Sequence, residues 1–229
     1  MRCQMAPMNQ GALMRSGLHK VIGVDLLTDL TYMLRLERND MSFVPGQCFN
    51  LGIPDTAVNR EYSSYSGIYD DELQFLIRQV EGGQVSPKFR SLRAGDMVEV
   101  DGAYGMFVID QDLVKTRKFY FIATGTGIAP FHCFAKSFRD LDYQLIHGTR
   151  YANECYHRQD YEQGRYINCA TTENSGDFHG RVTDYLKINP PPIDAMFYLC
   201  GNRNMINDAY DLLRSRGISS SQIITEVFF

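Results

Sequence analysis

The sequence predicts a protein of two domains, an antiparallel β-barrel followed by an α/β domain with a parallel sheet. In the first half of the chain, short β-rich segments follow one another with few helical patterns between them, as in small barrels. In the second half, apolar strands alternate with helical stretches, as in sheets covered by helices on both faces. The pattern changes near Asp112 to Lys118. We therefore assign residues 18–114 to the barrel and 115–229 to the α/β domain.

The barrel strands are predicted from short apolar runs that end at turn residues. Pairs such as Asn39–Asp40, Pro45–Gly46 and Gly95–Asp96 separate these runs. In chain order, the predicted strands are VIGVDLL, TYMLRLE, CFNLGI, ELQFLIRQV and MVEVDG.

The α/β domain is predicted to begin with KFYFIAT, a continuous apolar run typical of a buried strand. Three further strands of this kind are YQLIHGT, YINCATT and MFYLCG. The helical stretches between and after them are PFHCFAKSFRDL, RVTDYLK and NMINDAYDLLRSRG.

Charge and cysteine content argue against several classes of protein. The 23 lysine and arginine residues against 27 acidic residues give a net charge of -4, which favours neither nucleic acid nor membranes as partners. No apolar run is long enough to cross a bilayer, and residues 1–17 lack the apolar core of a secretory signal and are expected to be flexible. The 6 cysteines form no C-x-x-C pair, so we expect reduced thiols, a cytoplasmic location and no metal site.

The first candidate binding segment contains Arg60, Tyr62 and Ser63. On a strand, Arg60 and Tyr62 share a face. An arginine can clamp a pyrophosphate and a tyrosine can stack on a planar ring, while Ser63 could hydrogen-bond a ring nitrogen. A surface strand with one core-facing tyrosine is the alternative explanation.

The second candidate segment is a glycine turn before a short helix. Gly83, Gln84, Val85 and Ser86 precede the predicted helix PKFRSL, with Pro87 at its first position. The free backbone N–H groups at such a helix start form an anion site. An ordinary helix capped by Ser86 is the alternative.

Two more candidate segments follow strands of the α/β domain. Gly125, Thr126 and Gly127 come directly after KFYFIAT and would let the backbone approach a phosphate or a ring. Cys200 lies at the end of MFYLCG, and ligands of open α/β sheets bind at the carboxyl ends of strands. Cys200 would then share a crevice with Thr126, although a thiol packed as a small apolar group is the alternative.

The last candidate segment is Glu226-Val227-Phe228-Phe229. Two phenylalanines at the end of a domain need an apolar partner, and a flat ring system would supply one. Packing on the core of the domain is the alternative.

Together and in this order, the R-x-Y-S, G-x-x-S, G-T-G-I-A-P, C-G and E-x-aromatic-aromatic segments resemble those of the ferredoxin–NADP+ reductase family. The resemblance covers residues 21–229 and is strongest to the bacterial branch. It implies that FAD is bound by the barrel, with Arg60 on its pyrophosphate, Ser63 near flavin N5, and Tyr62 and Phe228 on the two flavin faces. Phe229 extends one residue beyond the plant pattern.

The resemblance also implies the remaining roles. Residues 83–86 would cradle the pyrophosphate, residues 125–127 would line the nicotinamide path, and Ser63, Cys200 and Glu226 would be the catalytic residues. Arg150 and Arg181 match positions where bacterial relatives bind the 2′-phosphate of NADP, whereas a third basic position reads Thr171-Thr172. NADPH is therefore the expected donor, and NADH is the alternative donor. The alternative explanation of Arg150 and Arg181 is that they are ordinary surface charges.

The implied activity is that of a monomeric ferredoxin/flavodoxin–NADP+ reductase. Hydride would pass between nicotinamide C4 and flavin N5, with Phe228 moving aside, and single electrons would pass to a ferredoxin or flavodoxin. Two alternatives remain open. One is an NADH-dependent reductase component of an oxygenase, or a diaphorase that reduces free flavins or quinones. The other is an FAD-binding electron-transfer subunit of a larger complex.

Overall fold

The computed structural model describes residues 16–172, 174 and 176–228, and it contains the two sheets that the sequence predicts. Residues 1–15, most of the segment expected to be flexible, lie outside the described residues, as does Phe229. Gly17 already belongs to the first strand, where it pairs with Val100.

The N-terminal sheet is antiparallel throughout, with strand order β4-β3-β6-β1-β2-β5. The two outer strands, β4 and β5, come into contact, so the sheet curls into the predicted barrel around buried side chains such as Phe49 and Phe75. Its elements are β1 (Gly17–Leu26), β2 (Thr31–Glu37), β3 (Cys48–Gly52), β4 (Asn59–Ser63), β5 (Glu72–Arg78), helix α1 (Ser86–Arg90) and β6 (Met97–Tyr104).

The C-terminal sheet is parallel throughout, with strand order β10-β9-β8-β7-β11-β12. The predicted fold class is therefore confirmed in both halves. The elements are α2 (Gln111–Val114), β7 (Phe119–Thr124), α3 (Ala129–Ser137), β8 (Tyr143–Thr149), β9 (Tyr166–Ala170), β10 (Phe178–His179), α4 (Val182–Ile188), β11 (Met196–Gly201), α5 (Arg203–Ser215) and β12 (Ile223–Val227). A single 3-10 turn, Gly125–Ile128, joins β7 to α3.

Two strands at the edges of the parallel sheet were not predicted. The two-residue β10 pairs with β9, and β12 pairs with β11 so that Glu226 lies beside Cys200. The end of the chain is thus held by a backbone ladder as well as by the packing of Phe228.

The two domains share a hydrophobic cluster. Met33, Tyr65 and Leu76 of the barrel side pack with Phe121 and Tyr198 of the parallel sheet, all of them buried. This packing brings the carboxyl ends of β7, β11 and β12 to the β4 edge of the barrel, which positions the candidate site. Among the described residues, no helix has the length and apolar character needed to cross a membrane.

Candidate active site

A cavity of about 800 Å³ lies where the barrel meets the parallel sheet. Its size suits a small-molecule or cofactor site. Most of the site residues expected from the sequence line it: Arg60, Tyr62, Ser63, Gly83, Gln84, Val85, Ser86, Thr126, Glu226 and Phe228.

The barrel wall of the cavity is formed by β4. This strand lies at the edge of the sheet and pairs only with β3, so residues from both of its faces, Glu61 included, reach the cavity. Tyr62 is half-buried, and the centroid of its ring lies 6.3 Å from that of Phe89. Burial raises the pKa of Tyr62 to about 12. Tyr62 is thus a neutral ring surface at neutral pH, while Arg60 stays exposed.

The start of helix α1 differs in detail from the sequence expectation. Val85, not Ser86, precedes the first helical residue, and Pro87 is the second helical residue. The Ser86 hydroxyl accepts a hydrogen bond from the Val80 N–H at 3.0 Å, which fixes the turn and leaves the helix without a side-chain cap. The first amides of a helix have no intrahelical partner. The Gly83 N–H donates to the Val80 carbonyl oxygen at 3.0 Å, so of the expected residues 83–86 only the amides of Gln84, Val85 and Ser86 remain to bind an anion in the cavity.

Glu226 connects the barrel to β11. Ser63 Oγ of the barrel donates to Glu226 Oε2 at 3.2 Å, and Cys200 Sγ of β11 donates to the same oxygen at 3.9 Å. Cys200 is fully buried and does not line the cavity, so it does not share a crevice with Thr126 as expected but packs behind Glu226. Burial raises the pKa of Glu226, and the hydrogen bonds from Ser63 and Cys200 oppose this rise. Burial also raises the pKa of Cys200 well above its usual range, so its thiol is neutral. One carboxyl group thus orients a hydroxyl from one domain and a thiol from the other.

The glycine turn after β7 packs directly on the end of β11. A Cβ atom on Gly127 would lie 2.5 Å from the Cys200 carbonyl oxygen and 2.7 Å from the Gly201 Cα atom. Gly125 takes a φ of 54°, in the left-handed region that favours glycine. Gly127 is therefore required by close backbone approach and Gly125 by its left-handed conformation, and the turn that they form leaves Thr126 at the cavity.

A buried histidine on the neighbouring strand β8 fixes this turn through a hydrogen bond. His147 of β8 donates from Nε2 to the Gly125 carbonyl oxygen at 2.8 Å, and its Nδ1 accepts from the Tyr166 hydroxyl at 2.6 Å. Both bonds are satisfied by a neutral imidazole, and burial lowers the pKa of His147 to about 4. Sequence analysis missed His147, because its partner in the turn lies in a different part of the chain.

This histidine predicts a specific loss of stability in acid. Unfolding restores an ordinary histidine pKa near 6.5, so the unfolded chain binds a proton that the folded protein excludes between about pH 6.5 and 4. Stability should fall as the pH is lowered through this window, by up to ~1.4 kcal/mol per pH unit and about 3 kcal/mol in total. Urea unfolding at pH 6.5, 5.5 and 4.5 should show a shallower decline for His147→Asn than for the wild type. A variant at an exposed histidine, His179→Gln, is the control, and identical slopes for His147→Asn and wild type would contradict the assignment.

Phe228 is anchored at the mouth of the cavity. Its N–H donates to the Gly201 carbonyl oxygen at 2.9 Å, and its ring lies partly buried against the cluster shared by the two domains. Phe228 and Tyr62 line the same cavity. Phe229, the other expected aromatic residue, lies outside the described residues.

Arg150 and Arg181 do not line the cavity. Arg150 is exposed directly after β8, and its carbonyl oxygen accepts from the Thr172 N–H at 3.0 Å. Arg181 is exposed at the start of α4. Both arginines therefore lie at the carboxyl side of the parallel strands, outside the part of the site that contains Glu226.

Several cavity residues carry no sequence signal of their own. Cys48 is an example: it pairs with Ser63 across β3 and β4, and its pKa is raised to about 11, chiefly by burial. The register of these two strands was the only signal that could have found it. The other residues that line the cavity without a sequence signal of their own are Asn50, Asn59, Glu61, Leu76, Ile77, Arg78, Val80, Ala129 and Val227.

Two domain families match the chain in the order of its two sheets. Residues 23–109 match the family model of the oxidoreductase FAD-binding domain, and residues 121–211 match that of the oxidoreductase NAD-binding domain. The chain belongs to the ferredoxin–NADP+ reductase family. As a member of this family, it is an FAD- and NAD(P)-binding oxidoreductase that transfers electrons.

Relatives within and around the ferredoxin–NADP+ reductase family differ in their partners. The chain is 30% identical over 206 residues to the toluate 1,2-dioxygenase electron transfer component of Pseudomonas putida, covering 83% of this chain and 60% of that protein. It is 27% identical to the ferredoxin–NADP reductase of Azotobacter vinelandii, covering 88% of this chain and 90% of that protein. The chain therefore spans less than two thirds of the first relative and most of the second.

A solved structure shares the fold. It is described as a ferredoxin NADP+ reductase from Neisseria gonorrhoeae with bound FAD and NADP, and it superposes with a TM-score of 0.84 at 22% identity, covering 93% of this chain and 99% of that one. The cavity described above fits a flavin in chemical character. It offers a neutral aromatic wall at Tyr62, a second ring at Phe228 and the amides of residues 84–86 for an anionic group.

Proposed function

We propose that this protein is a ferredoxin/flavodoxin–NADP+ reductase, an enzyme that exchanges electrons between NADP(H) and a one-electron carrier protein. The observation that carries the proposal is the Glu226 carboxyl group, which links Ser63 of the barrel to Cys200 of the parallel sheet beside a cavity lined by Tyr62 and Phe228. Bound FAD would accept a hydride there and release the electrons singly. The protein's own contribution is to bind, orient and shield.

The proposed roles follow from these contacts. Tyr62 and Phe228 would cover the two faces of the flavin ring, and Arg60 with the amides of residues 84–86 would bind its pyrophosphate. Ser63 and Glu226 would hold the nicotinamide ring in register with the flavin at one edge of the cavity, and the buried Cys200 would position Glu226 from β11. Phe228 would have to move aside for the nicotinamide. Its ring is only half-buried, and the hydrogen bond to Gly201 fixes its backbone N–H and not its ring, which is consistent with such a movement.

Arg150 and Arg181 are proposed to bind the 2′-phosphate and thus to select NADPH. Both are exposed at the carboxyl ends of parallel strands, as expected for groups that bind the far end of a dinucleotide. The double variant Arg150→Ala/Arg181→Ala should raise the KM for NADPH about 100-fold and leave the KM for NADH within about twofold, since each charge-assisted phosphate contact contributes ~1.5–3 kcal/mol. Steady-state kinetics with both coenzymes test this. Equal losses with NADPH and NADH would remove the 2′-phosphate assignment, and Arg139→Ala, which removes an exposed arginine after α3, serves as the control.

The carrier is proposed to be an acidic ferredoxin or flavodoxin. Arg60, Arg78 and Lys88 are exposed around the cavity or on the adjacent helix α1, and such a basic rim would steer an acidic partner. Anaerobic stopped-flow mixing of the FAD-loaded protein with NADPH, followed by a ferredoxin, a flavodoxin or free FMN, tests the function. We expect rapid reduction by NADPH and delivery to a carrier protein at a rate that falls with ionic strength. Delivery to free FMN alone would contradict the carrier proposal.

The second candidate is a reductase component of an oxygenase, favoured by the 30% identity to the toluate 1,2-dioxygenase component. The same mixing experiment separates the two candidates. An oxygenase reductase of this type would accept NADH at least as efficiently as NADPH and would reduce an oxygenase-type iron–sulfur protein in preference to a flavodoxin.

A further inference from the structure

A second cluster of reactive side chains lies at the domain interface, outside the cavity. It consists of His132 of α3 with His157 and Asp160 of the loop between β8 and β9. One ligand atom from each of the three residues lies within 4.8 Å of the other two. None of them lines the cavity of the candidate active site.

The hydrogen bonds of His132 determine which of its nitrogens is free. The side chain is 1% exposed, and its Nδ1 lies 2.7 Å from the Tyr65 carbonyl oxygen, which can only accept. Nδ1 therefore carries a hydrogen, and in a neutral imidazole the lone pair is on Nε2. That lone pair faces the Asp160 Oδ2 atom at 2.9 Å. Two acceptors at this distance repel each other unless a cation, a proton or a metal ion, is shared between them.

His157 supplies the third group from a strained backbone. Its φ is 47°, a left-handed conformation that is uncommon for residues other than glycine, although histidine, asparagine and aspartate adopt it more often than the rest. Such conformations cost about 1–3 kcal/mol and persist where the surroundings or the function require them. Here the conformation brings the His157 ring to 6.1 Å from the His132 ring, centroid to centroid.

We propose that His132, His157 and Asp160 bind one divalent transition-metal ion of the zinc class. Two imidazoles and one carboxylate suit Zn²⁺, Co²⁺ or Ni²⁺, whereas Mg²⁺ and Ca²⁺ prefer oxygen ligands only. Metal-binding histidines almost always donate their other N–H to a carbonyl or carboxylate, and the Tyr65 carbonyl accepts from His132 in this way. The nearby ammonium of Lys136 is paired with Asp70 at 2.7 Å, which reduces its repulsion of a metal ion. Because Asp160 is exposed, a solvent molecule can complete the coordination.

The ion would join parts of both domains. Tyr65 follows β4 of the barrel, and its ring stacks on that of His132 with a centroid distance of 3.7 Å. Bound metal would therefore fix α3, the β8–β9 loop and, through Tyr65, the barrel. The sequence predicted no metal site, because His132 is far from the other two residues along the chain and no metal-ligand spacing connects them.

The test uses the full-length FAD-loaded protein, treated with EDTA and dialysed. Zn²⁺ is titrated by calorimetry, and the bound metal is then counted by mass spectrometry of the washed protein. We expect one Zn²⁺ per chain and, at a hundredfold excess over Kd, a rise in Tm of about 5 to 10 °C. Mg²⁺ at the same concentration should produce no comparable rise.

Two variants remove ligands with little change in shape. Asp160→Asn keeps the volume of the side chain, and His157→Asn places at φ 47° a residue that tolerates this conformation. Each should weaken Zn²⁺ binding about tenfold or more. His179→Gln, which removes an exposed imidazole elsewhere, and Cys155→Ser, which removes a thiol from the same loop, should bind Zn²⁺ as the wild type does.

Each outcome decides the proposal. Loss of the single Zn²⁺ in both ligand variants, with retention in both controls, supports it. Absence of Zn²⁺ uptake by the wild type, equal uptake by all variants, or loss in Cys155→Ser alone would overturn it. In the first of these cases His132 and Asp160 share a proton instead. Since the titration requires no turnover, its result is independent of whether the proposed reductase activity is found.

Discussion

Flavin reduction by NADPH is expected to slow about 100-fold when Glu226 is replaced by alanine. Glu226 is the shared acceptor of the Ser63 hydroxyl and the Cys200 thiol, so its removal releases Ser63 at the cavity and breaks the link between the barrel and β11. Misplacement of a reacting group by about 1 Å is enough for a loss of this size. The measurement is the rate of flavin bleaching in anaerobic stopped-flow mixing, with FAD content determined in parallel.

The companion variants separate positioning from folding. Glu226→Gln keeps an acceptor oxygen and should recover part of the rate, and the double variant Ser63→Ala/Glu226→Ala should be no slower than Glu226→Ala if the groups act together. Glu37→Ala removes an exposed carboxylate that pairs with Lys20 on the barrel surface, and it should reduce as the wild type does. A wild-type rate in Glu226→Ala would exclude Glu226 from the hydride-transfer site.

Replacing Gly127 by alanine should abolish reduction by NADPH while leaving FAD bound. The new Cβ atom would meet the backbone of Cys200 and Gly201 at 2.5 and 2.7 Å, and backbone atoms cannot turn aside as a flexible side chain can. The turn that carries Thr126 must then move away from β11, at a cost of about 1–3 kcal/mol. We expect a lower Tm, normal FAD content and a more than 100-fold slower reduction.

A matched glycine provides the control for this variant. Gly17 lies at the start of β1, and nothing is within 4 Å of the position that its Cβ would take. Gly17→Ala should therefore keep both the Tm and the rate. If Gly127→Ala reduced as rapidly as the wild type, the turn after β7 would have no part in positioning the nicotinamide.

The fold could be predicted because its strands are strongly marked in the sequence. TYMLRLE, YQLIHGT and MFYLCG coincide with β2, β8 and β11, since each is a run of apolar residues bounded by turns. The edge strand β12 was not predicted because Thr225 and Glu226 interrupt its apolar pattern. Its pairing with β11 also depends on tertiary structure, which a local sequence pattern does not reveal.

The candidate site could be predicted where local backbone chemistry marks it. Gly127 is required by its close approach to β11 and Gly125 by its left-handed φ, and Arg60 to Ser63 form one edge strand. Residues that reach the site from other parts of the chain are not marked by any local sequence pattern. His147 supports the turn from a neighbouring strand, and Cys48 reaches the cavity only through the register of β3 with β4.

The hydrophobic cluster common to both domains bears on how the molecule melts. Met33, Tyr65 and Leu76 of the barrel side are buried in one cluster with side chains of the α/β domain, and the Tyr65 ring stacks on that of His132 in α3. Neither half could separate without exposing large apolar side chains, so the two should denature cooperatively in a single calorimetric transition. A fragment cut near Asp112 to Lys118 would carry this surface into water and should aggregate when expressed alone.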